Sequence, residues 1–441
     1  MQYSVSWKYK LKAKIIIHMV FLSSVVSFFV ADDLFASQQF AVENYNQISF
    51  SPDGKIIALL YEKYLTPIDM SLRDREIEIH WCSILSPGEL QKVKVDTIGD
   101  EYARYISIPL DFRFSPDSQK VAVFTPYHLS VINLSTKYLV RINREKERIT
   151  SFQWLDNNEI GFVVFETKGG NESTKTFWRQ NIATEPVSRQ QIFQDSTKST
   201  LIYDNDPFYH YPQEFWSTKG RYVIYIYPNY DYLKLLDTTL GNMKTFGSNG
   251  SYLESTPFNS VAWRLDESAV FCLGGTQGKR DNDWAYLVQT SDGKVIECTS
   301  NSQKTFGEYE PDLEPFWTAD GKYIVATHYL GIGPCLIQPN PWNIITFDEK
   351  TLEKQLGPKK YPEYKPHLFV MPVANWVGLC AVGYKDSPNH VEAPKYATDY
   401  KLQNLIPLFE TKGWWAISPD GKTGAVISQR GKLSIHKLDL H

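Results

Sequence analysis

The chain has 441 residues, of which 42% are hydrophobic, 22% charged and 14% aromatic, a composition that buries a large core and excludes a disordered or linker-rich protein. The formal net charge is −4, but Lys8, Lys10, Lys12 and Lys14 precede the first acidic residue, Asp32, so the chain after residue 31 carries −8. A body that acidic is a poor polyphosphate binder, because nucleic-acid affinity is built from Lys and Arg neutralising phosphates, and nucleic acid is set aside as a partner.

The first element is the front end. The four lysines lead into IIIHMVFLSSVVSFFVA, residues 15–31. A basic segment followed by an apolar one has the form of a secretory signal. The run is also just long enough to remain as an uncleaved anchor, and a chance apolar start is the third reading. Cleavage after Ala31 or Ala36 would place Phe29 or Leu34 three positions back, neither of them small, and no cysteine follows closely enough to carry a lipid. The expectation is a periplasmic or otherwise exported chain, the alternative being membrane anchorage by residues 15–31, with residues 38–441 as one domain.

The body repeats a short strand ending in an aromatic or Ile, a tight turn and an apolar strand. The clearest copies are ISFSPDGK (48–55) before IIALLYE, FRFSPD (112–117) before KVAVF, and WWAISPDGK (414–422) before TGAVIS. Variants stand at FWTADGK (316–322) and FWSTKG (215–220), and looser ones at FQWLD (152–156) and VAWRLD (261–266). Pro pre-sets φ, Asp bonds back to nearby amides and Gly accepts a positive φ, so S-P-D-G between apolar runs reads as a hairpin.

The aligned positions are Phe50, Phe114, Trp154, Trp216, Trp263, Trp317 and Ile417. The first five intervals average about 53 residues, the length of a four-stranded blade with its loops. The last interval is about twice that, so a degenerate repeat is placed inside it, with 367–374 and WVGLCAVGY as its strand pair. The expected fold is all-β: a single β-propeller of four-stranded blades, eight in number or alternatively seven. The last repeat stops after its third strand, and residues Gln39 to Asn44 are expected to supply the fourth, closing the ring and covering an edge.

These S-P-D-G-K turns resemble the repeats of the TolB-like, WD40-like propeller family across essentially all of residues 39–441. The resemblance is specific for fold and weak for function. It implies an exported interaction platform, although TolB-type proteins carry an N-terminal α/β domain for which the first repeat, beginning by Ile48, leaves no room. Related propellers precede the hydrolase domain of prolyl-oligopeptidase-like enzymes, but no G-x-S-x-G elbow is present.

Signals for chemistry are sparse. No H-E-x-x-H, P-loop or G-x-G-x-x-G occurs, the nine histidines are scattered, and the five cysteines form no C-x-x-C. Cys272 and Cys380 lie in apolar runs and read as small buried hydrophobes. The repeated tryptophans read as blade-to-blade packing in preference to a cofactor box. The loops that enter the first strand of each repeat are rich in acids and tyrosines: GDEYARY (99–105), DNDPFYHYP (204–212), GEYEPDLEP (307–315) and YPEYKPH (361–367).

From these loops the candidate binding residues are Tyr102, Tyr105, Asp204, Asp206, Tyr209, Tyr211, Glu308, Tyr309, Glu310 and Asp312, where tyrosines give stiff contact area and carboxylates draw a cationic partner. The bland alternative is a set of solvated surface loops. A metal on Asp206 and Asp312 is not demanded by their spacing, and no metal, cofactor or catalytic residue is assigned. The expected function is a non-catalytic protein- or peptide-binding module of the cell envelope, monomeric or a subunit of a complex. The alternatives are a propeller enzyme acting on glycans or peptides, and a structural subunit of an anchored assembly.

Overall fold

The computed structural model describes residues 43–64, 74–99, 110–145, 147–168, 172–183, 188–198, 214–226, 233–246, 258–274, 284–297, 315–326, 335–339, 342–346, 364–370, 376–383, 396–401, 404–409, 413–428, 431–438 and 440. Among them are 31 strands and no helix. They form eight antiparallel meanders, here sheets 1 to 8, spanning 43–98, 111–141, 148–198, 214–246, 258–297, 316–346, 364–407 and 413–437. The architecture is that of a β-propeller. Sheet 7 occupies the interval where the repeat had lost its turn letters, its first two strands being Tyr364–Val370 and Trp376–Gly383.

Each apolar run is explained by burial on both faces. In the second strand of sheet 1, Ile56–Tyr64, Ala58 and Leu60 join a core with Phe112, Val121 and Val123 of sheet 2, while Ile57 and Leu59 join one with Ala425 and Ile427 of sheet 8. A strand covered on both sides reads as continuous Val, Ile and Leu instead of alternating. Comparable clusters bridge sheets 2 and 3, 3 and 4, 4 and 5, 6 and 7, and 7 and 8. Cys82 and Cys272 are buried in two of these clusters, and burial pushes the Cys82 thiol up from its ordinary value.

The repeated tryptophans join successive sheets with a constant register. Trp154 donates its indole N–H to Arg113 O at 2.9 Å, Trp263 to Phe215 O at 3.1 Å and Trp317 to Ala262 O at 2.9 Å. In all three the acceptor immediately precedes the aromatic of the previous repeat. Trp216 uses the hydroxyl of Ser151 instead, at 3.0 Å. A large ring with one polar handle is suited to this position, because it fills the gap and still satisfies its donor.

The turn letters act as read. In sheet 1 the fully buried Ser51 hydroxyl donates to Asp53 Oδ1 at 2.7 Å and accepts from the Ile56 amide at 2.9 Å, while Gly54 adopts φ 70°. Ser115, Thr318 and Ser418 make the same pair of bonds in their own turns. In sheets 2 and 5, where the glycine is missing, Ser118 and Glu267 adopt the positive φ themselves, at 63° and 60°.

Of the residues expected to close the ring, Gln39 to Asn44, only the last two are described. Glu43 and Asn44 open the first strand of sheet 1, Glu43–Phe50, and pair with Lys63 and Glu62 of the neighbouring strand. Their backbone bonds are thus used inside sheet 1, with a bulge between Tyr45 and Gln47, and do not add an edge to sheet 8, which has three strands among the described residues. Residues 39–42 lie outside those described.

Candidate functional site

The first strands of sheets 2 to 5 are Asp111–Phe114, Arg148–Trp154, Glu214–Trp216 and Phe258–Trp263. All four converge on one cavity of about 250 Å³, whose polar lining is Asp111, Arg113, Thr150, Ser151 and Glu214 and whose aromatic lining includes Phe152, Trp216 and Trp263. The indole bonds set this convergence, since each one ties a first strand to the one before it.

Each carboxylate at the cavity already has a cation. Arg113 donates through Nε to Asp111 Oδ2 at 2.9 Å and through Nη1 to Phe152 O at 3.1 Å, with its guanidinium 5.0 Å from the centre of the Phe152 ring. Gln47 Nε2 donates to the other Asp111 oxygen at 3.2 Å. Glu214 and Lys175, on neighbouring sheets, form an ion pair through Glu214 Oε1, both residues being at most 5% exposed. Burial pulls the Arg148 guanidinium below its ordinary value, and the field of Glu214 opposes that shift.

The charges continue away from the cavity. Lys175 Nζ lies 5.9 Å from the centre of the Tyr225 ring, the Tyr225 hydroxyl donates to Asp195 Oδ2 at 3.0 Å, and Lys234 pairs with that oxygen at 2.5 Å. Removing one member of such a buried pair leaves the other uncompensated, at a cost of about 3–5 kcal/mol. Glu214 is therefore held firmly in place.

Two of the lining residues carry a buried polar atom with no hydrogen-bonding partner among the described residues, Glu214 Oε2 and Thr150 Oγ1, and Gln47 Oε1, beside Asp111 but outside the lining, is a third such atom. Buried polar atoms are nearly always partnered, and leaving one unsatisfied costs about 1–3 kcal/mol.

All ten residues expected from the loops lie outside the described residues: Tyr102 and Tyr105 within 100–109, Asp204, Asp206, Tyr209 and Tyr211 within 199–213, and Glu308, Tyr309, Glu310 and Asp312 within 298–314. In sequence the first two segments run directly into cavity-lining strands, ending next to Leu110 and Glu214. Asp111 and Glu214 went unread because the acidic signal was cut off at Tyr105 and Pro212. Extending each loop into the strand it feeds would have found both.

A second polar cluster lies between sheets 1 and 2. Asp96, 6% exposed, accepts from the Thr125 hydroxyl at 2.6 Å and from His128 Nδ1 at 2.8 Å, and His128 Nε2 faces Arg141 Nη1 at 3.1 Å. Arginine only donates, so Nε2 is the acceptor and Nδ1 carries the proton. An Asp–His pair working as a base needs a hydroxyl on Nε2. Here the hydroxyl is on the carboxylate and Nε2 is occupied, so the cluster is a brace between sheets.

No family model matches the sequence, and no curated protein matches it. Among solved structures, the chain is similar to the Cps50 (Swd1) β-propeller domain of Myceliophteria thermophila, with a TM-score of 0.43, 10% identity, and coverage of 78% of this chain and 95% of that one. It is similar to an oligogalacturonate lyase of Vibrio parahaemolyticus, with a TM-score of 0.44, 12% identity, and coverage of 90% and 89%. It is also similar to the WD40 domain of a Toxoplasma gondii coronin, with a TM-score of 0.40, 12% identity, and coverage of 70% and 74%. The β-propeller architecture rests on the chain's own eight meanders and the cores they share.

Proposed function

We propose that the protein is an exported, non-catalytic binding module that takes a protein or peptide partner at the cavity where the first strands of sheets 2 to 5 meet. The observation that carries this reading is Glu214: buried, fixed by Lys175, and lining the cavity with one carboxylate oxygen unpartnered. Such an atom costs stability, and its residue is fixed in the wall of the cavity. The acid- and tyrosine-rich loops before the first strands of sheets 2, 4 and 6 are proposed as the outer part of the binding surface, with Tyr102, Tyr105, Asp204, Asp206, Tyr209, Tyr211, Glu308, Tyr309, Glu310 and Asp312 as contacts.

The enzyme reading is weaker on the same geometry. Acid–base catalysis on a glycan or peptide asks one carboxyl to hold a proton for the leaving group. Asp111 and Glu214 are each bonded to a cation instead. The arrangement suits recognition better than proton transfer.

The test is affinity capture of the tagged protein from its own cell envelope after brief cross-linking, with N-terminal sequencing of the recovered chain. The expected result is one reproducible partner on a chain beginning near Asp32 or Ser37. Capture should be lost on changing Asp204, Asp206, Glu308 and Glu310 together to Ser, with the thermal melt unaltered. Turnover of a glycan or peptide panel that vanishes in Asp111→Asn or Glu214→Gln would replace this reading with the enzyme one.

A further inference from the structure

We infer that a groove between sheets 5 and 6 binds a glutamate side chain presented by a peptide segment of a partner protein. The groove has a volume of about 490 Å³, within the ~300–1,000 Å³ of ligand pockets. It is a second site, at the other end of the strands from the carboxylates of the cavity. Asp111 and Glu214 each open a first strand, whereas Arg264 follows one and Lys322 stands in the turn after another. Two cross-strand rows build the walls. On sheet 5 the Arg264 amide donates to Ala269 O at 3.0 Å and Ala269 pairs with Gln289, so the three side chains share a face and small Ala269 leaves a hollow between two long neighbours. On sheet 6, Tyr323 and Gln338 stand one step beyond the Ile324–Ile337 pair. Ala269, Leu287 and Trp317, each at most 6% exposed, make an apolar floor.

The walls call for an anion. No described residue that lines the groove is acidic, whereas the cavity has Asp111 and Glu214 in its lining. Arg264 is held in place, its guanidinium 5.7 Å from the centre of the Trp317 ring and so close to Gly321 that a Cβ there would come within 2.8 Å of Nε. Asp266 Oδ2 lies 3.5 Å from Nε and Asp320 Oδ2 lies 3.3 Å from Lys322 Nζ, both acids standing outside the lining. A guanidinium carries five N–H donors, so the contact at Nε leaves the Nη groups for a second carboxylate. The side chains are within reach of a ligand: those of Arg264 and Lys322 are 37% and 67% exposed, and Gln289, Tyr323 and Gln338 are half-buried. Among the described residues the side chains of Arg264, Gln289, Tyr323 and Gln338 have no hydrogen-bonding partner. A glutamate carboxylate takes paired bonds from a guanidinium and further ones from carboxamides, while its methylenes suit the floor of Leu287 and Trp317. A lysine would meet two cations, and a neutral side chain would leave both unanswered.

The experiment uses the full chain and blocked peptides Gly-Ala-Xaa-Ala-Gly with glutamate, glutamine, lysine or phosphoserine at the centre, together with free glutarate, followed by ligand-detected NMR. The glutamate peptide should bind at least about tenfold more tightly than each of the other probes, and added salt should weaken it. Arg264→Gln removes the charge and should abolish the preference for glutamate over glutamine. Gln289→Glu leaves Arg264 in place but sets a carboxylate across the hollow from it, and should turn the preference toward the lysine peptide. A thermal melt of each variant confirms that the fold is kept, and the reversal in Gln289→Glu cannot come from unfolding. Preference for the glutamine, lysine or phosphoserine peptide, absence of binding by all of them, or an unchanged preference in both variants would overturn the inference. Glutarate binding as tightly as the glutamate peptide would overturn the peptide partner in favour of a small dicarboxylate.

Discussion

Gly161, in the second strand of sheet 3, lies so close beneath the Trp216 ring of sheet 4 that a Cβ added to it would stand 2.8 Å from the ring carbon Cη2. Leu155 closes the other side, at 3.0 Å. The glycine is therefore a space requirement of its neighbour. Gly161→Ala should cost about 1–3 kcal/mol through overpacking. Most of that loss should return in Gly161→Ala/Trp216→Phe when each is compared with its own Trp216 background by urea denaturation, since residues in contact are coupled.

Trp317 is 6% exposed and bonded to Ala262 O, so truncation removes both a large buried ring and a partner for a carbonyl. Trp317→Ala should destabilise by about 3–5 kcal/mol. Trp317→Phe keeps most of the volume and strands only the carbonyl, with an expected loss of about 1–3 kcal/mol. Equilibrium unfolding of the two variants separates packing from hydrogen bonding, and two losses of equal size would contradict that division.

At the last turn the buried Ser418 hydroxyl donates to Asp420 Oδ1 at 2.6 Å and accepts from the Thr423 amide at 2.9 Å. Ser418→Ala leaves that amide without its bond, at a cost of about 1–3 kcal/mol. Ser418→Thr should recover it, because Thr318 already makes the same two bonds in sheet 6.

The turn aspartates predict how stability responds to acid. The Ser418 hydroxyl, followed by the Lys422 amide, holds the Asp420 carboxyl below its ordinary value of 3.8. At Asp53, Asp117, Asp266 and Asp320 burial pushes upward and is outweighed by hydrogen bonds from Ser51, Ser115, Ser268 and Thr318. A carboxyl lowered by folding contributes its full stability above 3.8 and loses it as the pH drops through the folded value, where the unfolded chain binds more protons. Urea midpoints should therefore stay level down to about pH 5 and fall below about pH 4. Asp420→Asn should make that acid fall shallower.

Much of the fold was legible because it is local. Ser, Pro, Asp and Gly specify a turn within five residues, and Ile-Ile-Ala-Leu-Leu specifies a strand covered on both faces. Even Phe-Ser-Pro-Asp-Ser, without its glycine, could be aligned, and Ser118 accepts the strained φ that the missing glycine would have taken. The cavity was less legible. Lys175 and Glu214 are 39 positions apart on different sheets, and nothing in ESTKTFWRQN singles out its lysine. Their pairing depends on how sheet 3 stacks on sheet 4. Gln47 and Asp111, 64 positions apart, are hidden for the same reason.

The indole bonds also have a direction. Trp154, Trp216, Trp263 and Trp317 each reach back to the sheet made before their own, never forward. A chain emerging from its N-terminal side thus always finds the docking surface for its newest sheet already built, and growth proceeds as successive additions to a finished edge. The core shared by sheets 1 and 8 is the exception, because Ile57 and Leu59 must wait for Ala425 and Ile427. Until the last repeat is synthesised that apolar face has no cover, which makes it the surface a chaperone would hold.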